Sequence, residues 1–527
     1  MNSKKIGLFL GPILFILTRL FFNSEGLSNE ANAVLASTLW IAVWWITEAI
    51  PIAATSLLPI ILFPLSGALP LADTSSSFGH RYVFLYMGGF ILALAIEKWN
   101  LHKRIALNII KLIGTDVKKI ILGFMIATAF LSMWISNTAT AVMMLPIGIA
   151  IIKQMKDLKS TPEDENLIFG KALMLSIAFS ASIGGLATLI GTPPNLVFAG
   201  IIQELYSIEI SFLKWVVFGL PISIILLTIS WIYLTRVAFK FSQTNFDEGR
   251  KEINRQLKEL GEMQYEEKIV LSVFVITGAA WISRTFFLNL FLPSLDDSII
   301  ALISGISLFL ISARKKHQDQ KIMHWEDAVK LPWGILLLFG GGLAIAAGFQ
   351  SSGLASWIAD NLTQLNGFSL LIILLVVITA VNFLTEITSN LATTAMLLPI
   401  LAPTAIMLGV HPYILMVGAT LAASCAFMLP VATPPNAVVF GSNYLKISDM
   451  VRVGILMNLM SIIIIFLMVY FLLPIFWNFG RFPIWLLSFF WLLGFFYILQ
   501  RSFLLLRYFF DQLGFSNHNN YQRFLIC

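Results

Sequence analysis

A chain of 527 residues that is 58% hydrophobic and only 12% charged, with a mean hydropathy of +0.85, carries about half the charge of a soluble domain. Its charges collect in short stretches between long apolar runs, which is the pattern of bilayer-spanning helices and argues against a soluble enzyme. The net charge of +6 does not mark a nucleic-acid binder, because the basic residues flank apolar spans, where they set orientation.

In chain order, Lys4 and Lys5 precede the apolar run 6–22, read as a retained first helix because Ala31-Asn32-Ala33 lies too far downstream for a leader cleavage site. Further spans are expected near 34–50, 52–68, 82–100, 172–203, 212–236, 267–286, 297–313, 332–350, 413–445 and 451–474, eleven in all. A twelfth is possible at 483–500, followed by Arg501 and Arg507. All should be helices, since lipid offers no partner to an unpaired backbone group. The stretches 120–152 and 370–405 each carry a polar triplet mid-way and are read as re-entrant hairpins.

Basic residues concentrate at the N-terminus and in 98–119, 153–159, 236–268 and 314–321, whereas Glu25, Glu30, Asp73, Glu204, Glu209, Asp296 and Asp297 mark the opposite loops. The N-terminus is therefore expected in the cytoplasm, with hairpin 120–152 entering from inside and 370–405 from outside.

The halves repeat. Tyr86-Met87-Gly88-Gly89 matches Leu338-Phe339-Gly340-Gly341 at an offset of 252, and Ser136-Asn137-Thr138 matches Ser389-Asn390-Leu391 at 253. Pro146 and Pro399 follow at the same offset, and Thr192-Pro193-Pro194-Asn195 recurs as Thr433-Pro434-Pro435-Asn436 at 241. Four matches in order, with hairpins entering from opposite sides, predict an inverted repeat of the kind that holds substrate and ions between broken helices in secondary transporters. The expected division is 1–33 as an N-terminal helix and loop, 34–236 as the first repeat, 237–266 as a cytoplasmic linker, 267–474 as the second repeat and 475–527 as an extension.

At each tip, helix ends leave N–H and C=O groups without helical partners. The carbonyls and hydroxyls suit a hard cation, the Asn amide serves ion or anion, and half-helix N-termini suit a carboxylate. The paired prolines unwind the chain and expose further carbonyls; Gly191 and Ala432, just before them, admit an ion to the backbone. No Lys or Arg lies in either tip or either proline motif, so bound cations are the natural countercharge for an anionic substrate. Glu48 and Glu386 are the intramembrane carboxylates, with tip support preferred over proton relay for Glu386. His80, His102 and His411 are read as solvated residues at span ends, and Cys425 as a small packing residue.

At Trp45-Ile46-Thr47-Glu48-Ala49-Ile50-Pro51, Ser136-Asn137-Thr138, Gly191 to Asn195 and Ala422 to Asn436 the sequence resembles the divalent anion/sodium symporter family, which includes sodium–dicarboxylate and citrate cotransporters. The resemblance spans about 35–474. It implies a homodimer in the cell membrane whose transport part shifts like an elevator against a scaffold. It implies one sodium near Ser132, Ser136, Asn137 and Gly191, and a second near Thr385, Thr388, Asn390 and Ala432. A C4-type dicarboxylate is expected to touch Ser136, Asn137, Thr138, Ser389, Asn390, Thr433 and Pro434. Leu391 departs from the Ser-Asn-Thr of many relatives and removes a hydroxyl. Alternatives are a sulfate or tricarboxylate carrier, a sodium-independent exchanger, or an ion channel; no nucleophile–base pair supports an enzyme.

Overall fold

The computed structural model describes residues 3–479 apart from 115, 155–164, 242–246, 315–320 and 362–366. Among the described residues the chain is helical, with one isolated bridge between Ser312 and Lys321. Six of these helices are long and apolar enough to cross a bilayer. Five of the six lie at expected spans, and the sixth, Asn390–Met407, lies in the stretch read as the second hairpin.

The runs 172–203 and 413–445 each divide in two. Glu165–Gly185 ends, the chain unwinds, and a helix resumes as Pro193–Tyr206; likewise Tyr413–Ala423 gives way to Pro434–Phe440. The physical cause is the proline pair, which opens each second half-helix at its first turn, where missing N–H donors cost nothing. The run 52–68 is Ile52–Thr55 followed by Leu58–Ser66. Pro51 caps the first piece, Pro59 lies in the first turn of the second, and the second piece's nine helical residues reach about 14 Å, half of a bilayer core. The candidate span 483–500 lies outside the described residues.

The stretches 120–152 and 370–405 also break at their polar triplets. Their arms are Val117–Ser132 with Asn137–Ile152, and Leu370–Leu384 with Asn390–Met407.

Two amphipathic helices occupy what the sequence analysis treated as loop and linker, Leu101–Ile113 and Asp247–Leu260. They pack on each other. Arg104 ties the second to the following span by donating to Leu260 O and Gly261 O and pairing with Glu267 at 2.5 Å. His102 is buried at 4% exposure, with Nδ1 3.2 Å from Ile96 O, rather than solvated. Glu48 is exposed and pairs with Lys4 at 3.6 Å, so it is not a buried carboxylate.

The helix Glu165–Gly185 forms the centre. It is buried without a break from Ala172 to Gly185 and packs against both arms of the first hairpin. The half-helices cross over between repeats: Pro193–Tyr206 packs on the Asn390–Met407 arm, and Pro434–Phe440 on the Asn137–Ile152 arm. The repeated glycines allow close contact, since a Cβ on Gly88 would stand 2.6 Å from the Ala301 backbone and one on Gly341 2.5 Å from Ser56 O. These contacts belong to the unit Met1–Leu467. In the unit from Met468 the described part is a π-helical turn, Met468–Leu472, and a short helix, Leu473–Phe476.

Candidate functional site

The site follows from how two helix breaks are satisfied. At the first tip Ser136 caps the second arm, its Oγ accepting from Ala139 N at 3.3 Å; Ser389 does the same for Ala392 N at 3.5 Å. With the serines used as caps, the asparagines that follow turn back toward the other arm.

One terminal atom of the Asn137 amide lies 2.7 Å from Ser132 Oγ, 3.0 Å from Gly191 O and 3.2 Å from Ala181 O. Ser132 Oγ also lies 2.6 Å from Ala181 O. Turned with nitrogen inward, the amide donates to these oxygens; turned with oxygen inward, it completes a set of oxygens facing one another with too few protons to link them. Gly191 is essential to this approach, because a Cβ there would stand 2.6 Å from Gly185 O.

The second tip repeats the arrangement. Thr385 Oγ1 lies 3.1 Å from Asn390 Oδ1 and 3.0 Å from Ala423 O. Thr385 corresponds to Ser132, and Asn390 to Asn137, at the offset of 253. Thr388 is occupied locally, bonding Leu384 O at 2.8 Å and Thr393 Oγ1 at 2.7 Å. Ala432 is buried close by in sequence, its N–H donating to Leu429 O at 3.2 Å.

Of the residues expected to meet substrate, Thr138 and Pro434 are exposed, Ser136, Asn137, Ser389 and Asn390 are half-buried, and Thr433 is buried. Thr433 Oγ1 accepts from Asn436 N at 3.3 Å. Leu391 is 6% exposed, whereas Thr138, its counterpart, faces outward from the packing. The hydroxyl missing at Leu391 is thus missing from a buried position.

Sequence reasoning missed the residues that hold the unwound stretches. Asn195 Nδ2 donates to Thr188 O at 2.7 Å and Gly185 O at 3.1 Å; Asn436 Nδ2 donates to Leu429 O at 3.0 Å and Ala426 O at 3.3 Å. Their signal was present, for each closes its copy of Thr-Pro-Pro-Asn. Buried Glu386 accepts from the backbone N–H groups of Phe427 (2.9 Å), Met428 (3.0 Å) and Leu429 (3.0 Å) and from Asn458 Nδ2 (2.7 Å). It fixes the tip to the unwound stretch, and Asn458 had no motif to reveal it.

Helices broken in pairs, each break backed by a facing set of freed carbonyls, define a membrane transporter of the secondary type. The family follows directly: the chain belongs to that described as the sodium:sulfate symporter transmembrane region, whose model matches residues 3–478. It is 51% identical over 476 residues to the sodium-dependent dicarboxylate transporter SdcS of Staphylococcus saprophyticus, covering 90% of this chain and 92% of that one. It is equally 51% identical over 477 residues to the protein of that name in Staphylococcus aureus (strain USA300), with the same coverage. Among solved structures it is similar to the Alcanivorax borkumensis YdaH transporter, with a TM-score of 0.56 at 13% identity over 84% of this chain and 99% of that one. It is also similar to Neisseria gonorrhoeae MtrF, with a TM-score of 0.52 at 14% identity over 88% and 98%. These two likenesses concern the fold alone.

Proposed function

We propose that the chain imports a small C4-type dicarboxylate across the cell membrane in symport with sodium ions. The observation that carries this is the Asn137 amide, poised among three other oxygens at 2.7–3.2 Å and repeated in kind at Asn390. A sodium ion held by Ser132, Asn137, Gly191 and the Ser136 turn uses the amide oxygen; with the ion gone, the amide turns and its NH₂ takes the ion's place. The second ion sits with Thr385, Asn390, Ala432 and the Thr388 turn. Substrate carboxylates meet Ser136, Asn137, Thr138, Ser389, Asn390, Thr433 and Pro434; the tips and proline motifs carry no Lys or Arg, and the bound ions supply the countercharge. The identity to relatives named as sodium-dependent dicarboxylate transporters supports the choice of ion and substrate.

In this reading 34–236 and 267–474 are inverted repeats joined by 237–266, their two hairpins re-enter from opposite faces, and the N-terminus is cytoplasmic. The protein works as a homodimer, and the tips travel as an elevator against the remaining helices.

Uptake of labelled succinate, citrate and sulfate into proteoliposomes, with and without a sodium gradient, tests the proposal. Sodium-dependent, saturable succinate uptake is expected. Preference for citrate or sulfate would reassign the substrate, and uptake indifferent to sodium would make the protein an exchanger. Where more than two sodium ions accompany a dianion, an inside-negative potential accelerates uptake, each net charge contributing about 2.3 kcal/mol per 100 mV.

A further inference from the structure

The two repeats differ just behind the second tip. Asn382, fully buried, donates through Nδ2 to Cys425 O at 2.6 Å and approaches Ser461 Oγ at 3.4 Å. Ser461 in turn donates to Asn458 O at 2.8 Å, and Asn458 to Glu386 at 2.7 Å. Asn382, Ser461, Asn458 and Glu386 thus form one connected polar core, all 3% exposed or less.

Two features of this core are unbalanced. Asn382 Oδ1 and the hydroxyl of Ser424, beside the Cys425 that Asn382 touches, are buried with no partner among the described residues. The Glu386 carboxylate meets only neutral donors, and among the described residues no Lys or Arg pairs with it. A buried negative charge without a counterion costs several kcal/mol, and an orphaned buried acceptor costs about 1–3 kcal/mol. At the repeat offset the first half has Ala129 where the second has Asn382, and Met133 where it has Glu386. Ser182 follows Ala181, whose carbonyl meets Ser132, as Ser424 follows Ala423, whose carbonyl meets Thr385; it is equally unpartnered among the described residues, but it has neither neighbour.

We propose that this core holds an additional hard monovalent cation, bound by Asn382 Oδ1, Ser424 Oγ and carbonyls of the unwound stretch, with Glu386 as its countercharge. It is separate from the ion set at Thr385, Thr388, Asn390 and Ala432, and it exists in the second repeat alone. Only the identification of the ion as sodium rests on the symport reading. The consequence is that ion binding is unequal between the halves: the second takes one cation more than the first.

The test counts ions. Radioactive sodium binding to the purified full-length protein, without substrate, is compared for the wild type, Asn382→Ala, Ser424→Ala and Ser182→Ala. Alanine is what the first repeat has at the Asn382 position, and Ser424→Ala removes no hydrogen bond. Both should bind one sodium fewer per chain and lower the sodium Hill coefficient of uptake by about one, while Ser182→Ala keeps the wild-type count. An unchanged count in Ser424→Ala overturns the proposal even where Asn382→Ala fails to fold. A wild type that binds no sodium overturns the symport reading as well, so the two failures are told apart.

Discussion

Met133 and Glu386 stand at equivalent positions in the two repeats, and each ties its tip to the adjacent unwound stretch by accepting from it, Met133 through its backbone carbonyl and Glu386 through its side chain. Met133 offers its carbonyl to Thr188 Oγ1 at 2.5 Å, and that hydroxyl accepts from Gly191 N at 3.0 Å. Glu386 also accepts from the stretch, but through its carboxylate. Thr188 is matched by Leu429 at the offset of 241, so a side-chain hydroxyl donating to a backbone carbonyl in the first repeat is replaced by a backbone N–H donating to a side-chain carboxylate in the second. Glu386→Gln sets an NH₂ against backbone N–H groups, and a loss of about 2–4 kcal/mol is expected. Melting in detergent measures it; a variant that melts and transports like the wild type shows the tether to be dispensable.

Asn195→Ala and Asn436→Ala each free carbonyls that the amide now occupies. Each should cost about 1–3 kcal/mol and reduce uptake, because the oxygens that face the tips lose their positions. Asn→Asp at either site should be worse than Ala, since it sets a carboxylate against those carbonyls. Thermal melting and uptake on the four variants decide this; Asp variants better than Ala would mean the amide is not the donor.

Ser132→Ala and Thr385→Val keep the shape of each ion set and remove one oxygen ligand. Sodium affinity should fall about tenfold, for a loss of about 1.4 kcal/mol, while substrate affinity at saturating sodium stays within about threefold. Asn137→Ala and Asn390→Ala should abolish uptake without loss of expression. By linkage, sodium should tighten substrate by the factor with which substrate tightens sodium in equilibrium binding. Unequal factors would show that a further ligand is involved.

His102, in the amphipathic helix Leu101–Ile113, gives a pH signature. Burial pushes its imidazole down to about 4, against an ordinary 6.5, with Lys103 adding to the shift. Above pH 6.5 the ring is neutral folded or unfolded and its contribution to stability is complete. Between 6.5 and 4 the unfolded chain takes the proton first, so up to about 3 kcal/mol is lost as pH falls. His102→Gln should flatten the melting temperature over that window; a profile still as steep would place its origin elsewhere.

What was legible in the sequence is what repeats. The tips, the proline motifs and the glycine pairs were visible because each occurs twice at a nearly fixed offset, and proline states its backbone effect without help from context. The helix Asp247–Leu260 was not legible, because a charge-rich segment reads the same whether extended or docked by one face on Leu101–Ile113. Nor was Asn458, a lone amide in an apolar run whose role exists only once Glu386 and Phe427 N are brought within 3.0 Å of it. The burial of His102 depended likewise on which neighbours folded over it. Leu391 shows the reverse limit: a changed letter in a motif suggested a changed site, but the side chain points into packing.

The crossing of the half-helices bears on how the protein is made. Pro193–Tyr206 leans on an arm not synthesised until Asn390–Met407, and the Asn137–Ile152 arm awaits Pro434–Phe440. A nascent chain halted after residue 236 would therefore hold its own hairpin and broken helix without the surfaces that cover them. The first half must persist in the membrane as an unfinished assembly, with its polar stretches open to lipid-inserted water or to a chaperone, until the second half arrives. Deleting either half should send the other to degradation rather than leave half a carrier, while co-expressing the halves as separate chains should rescue both.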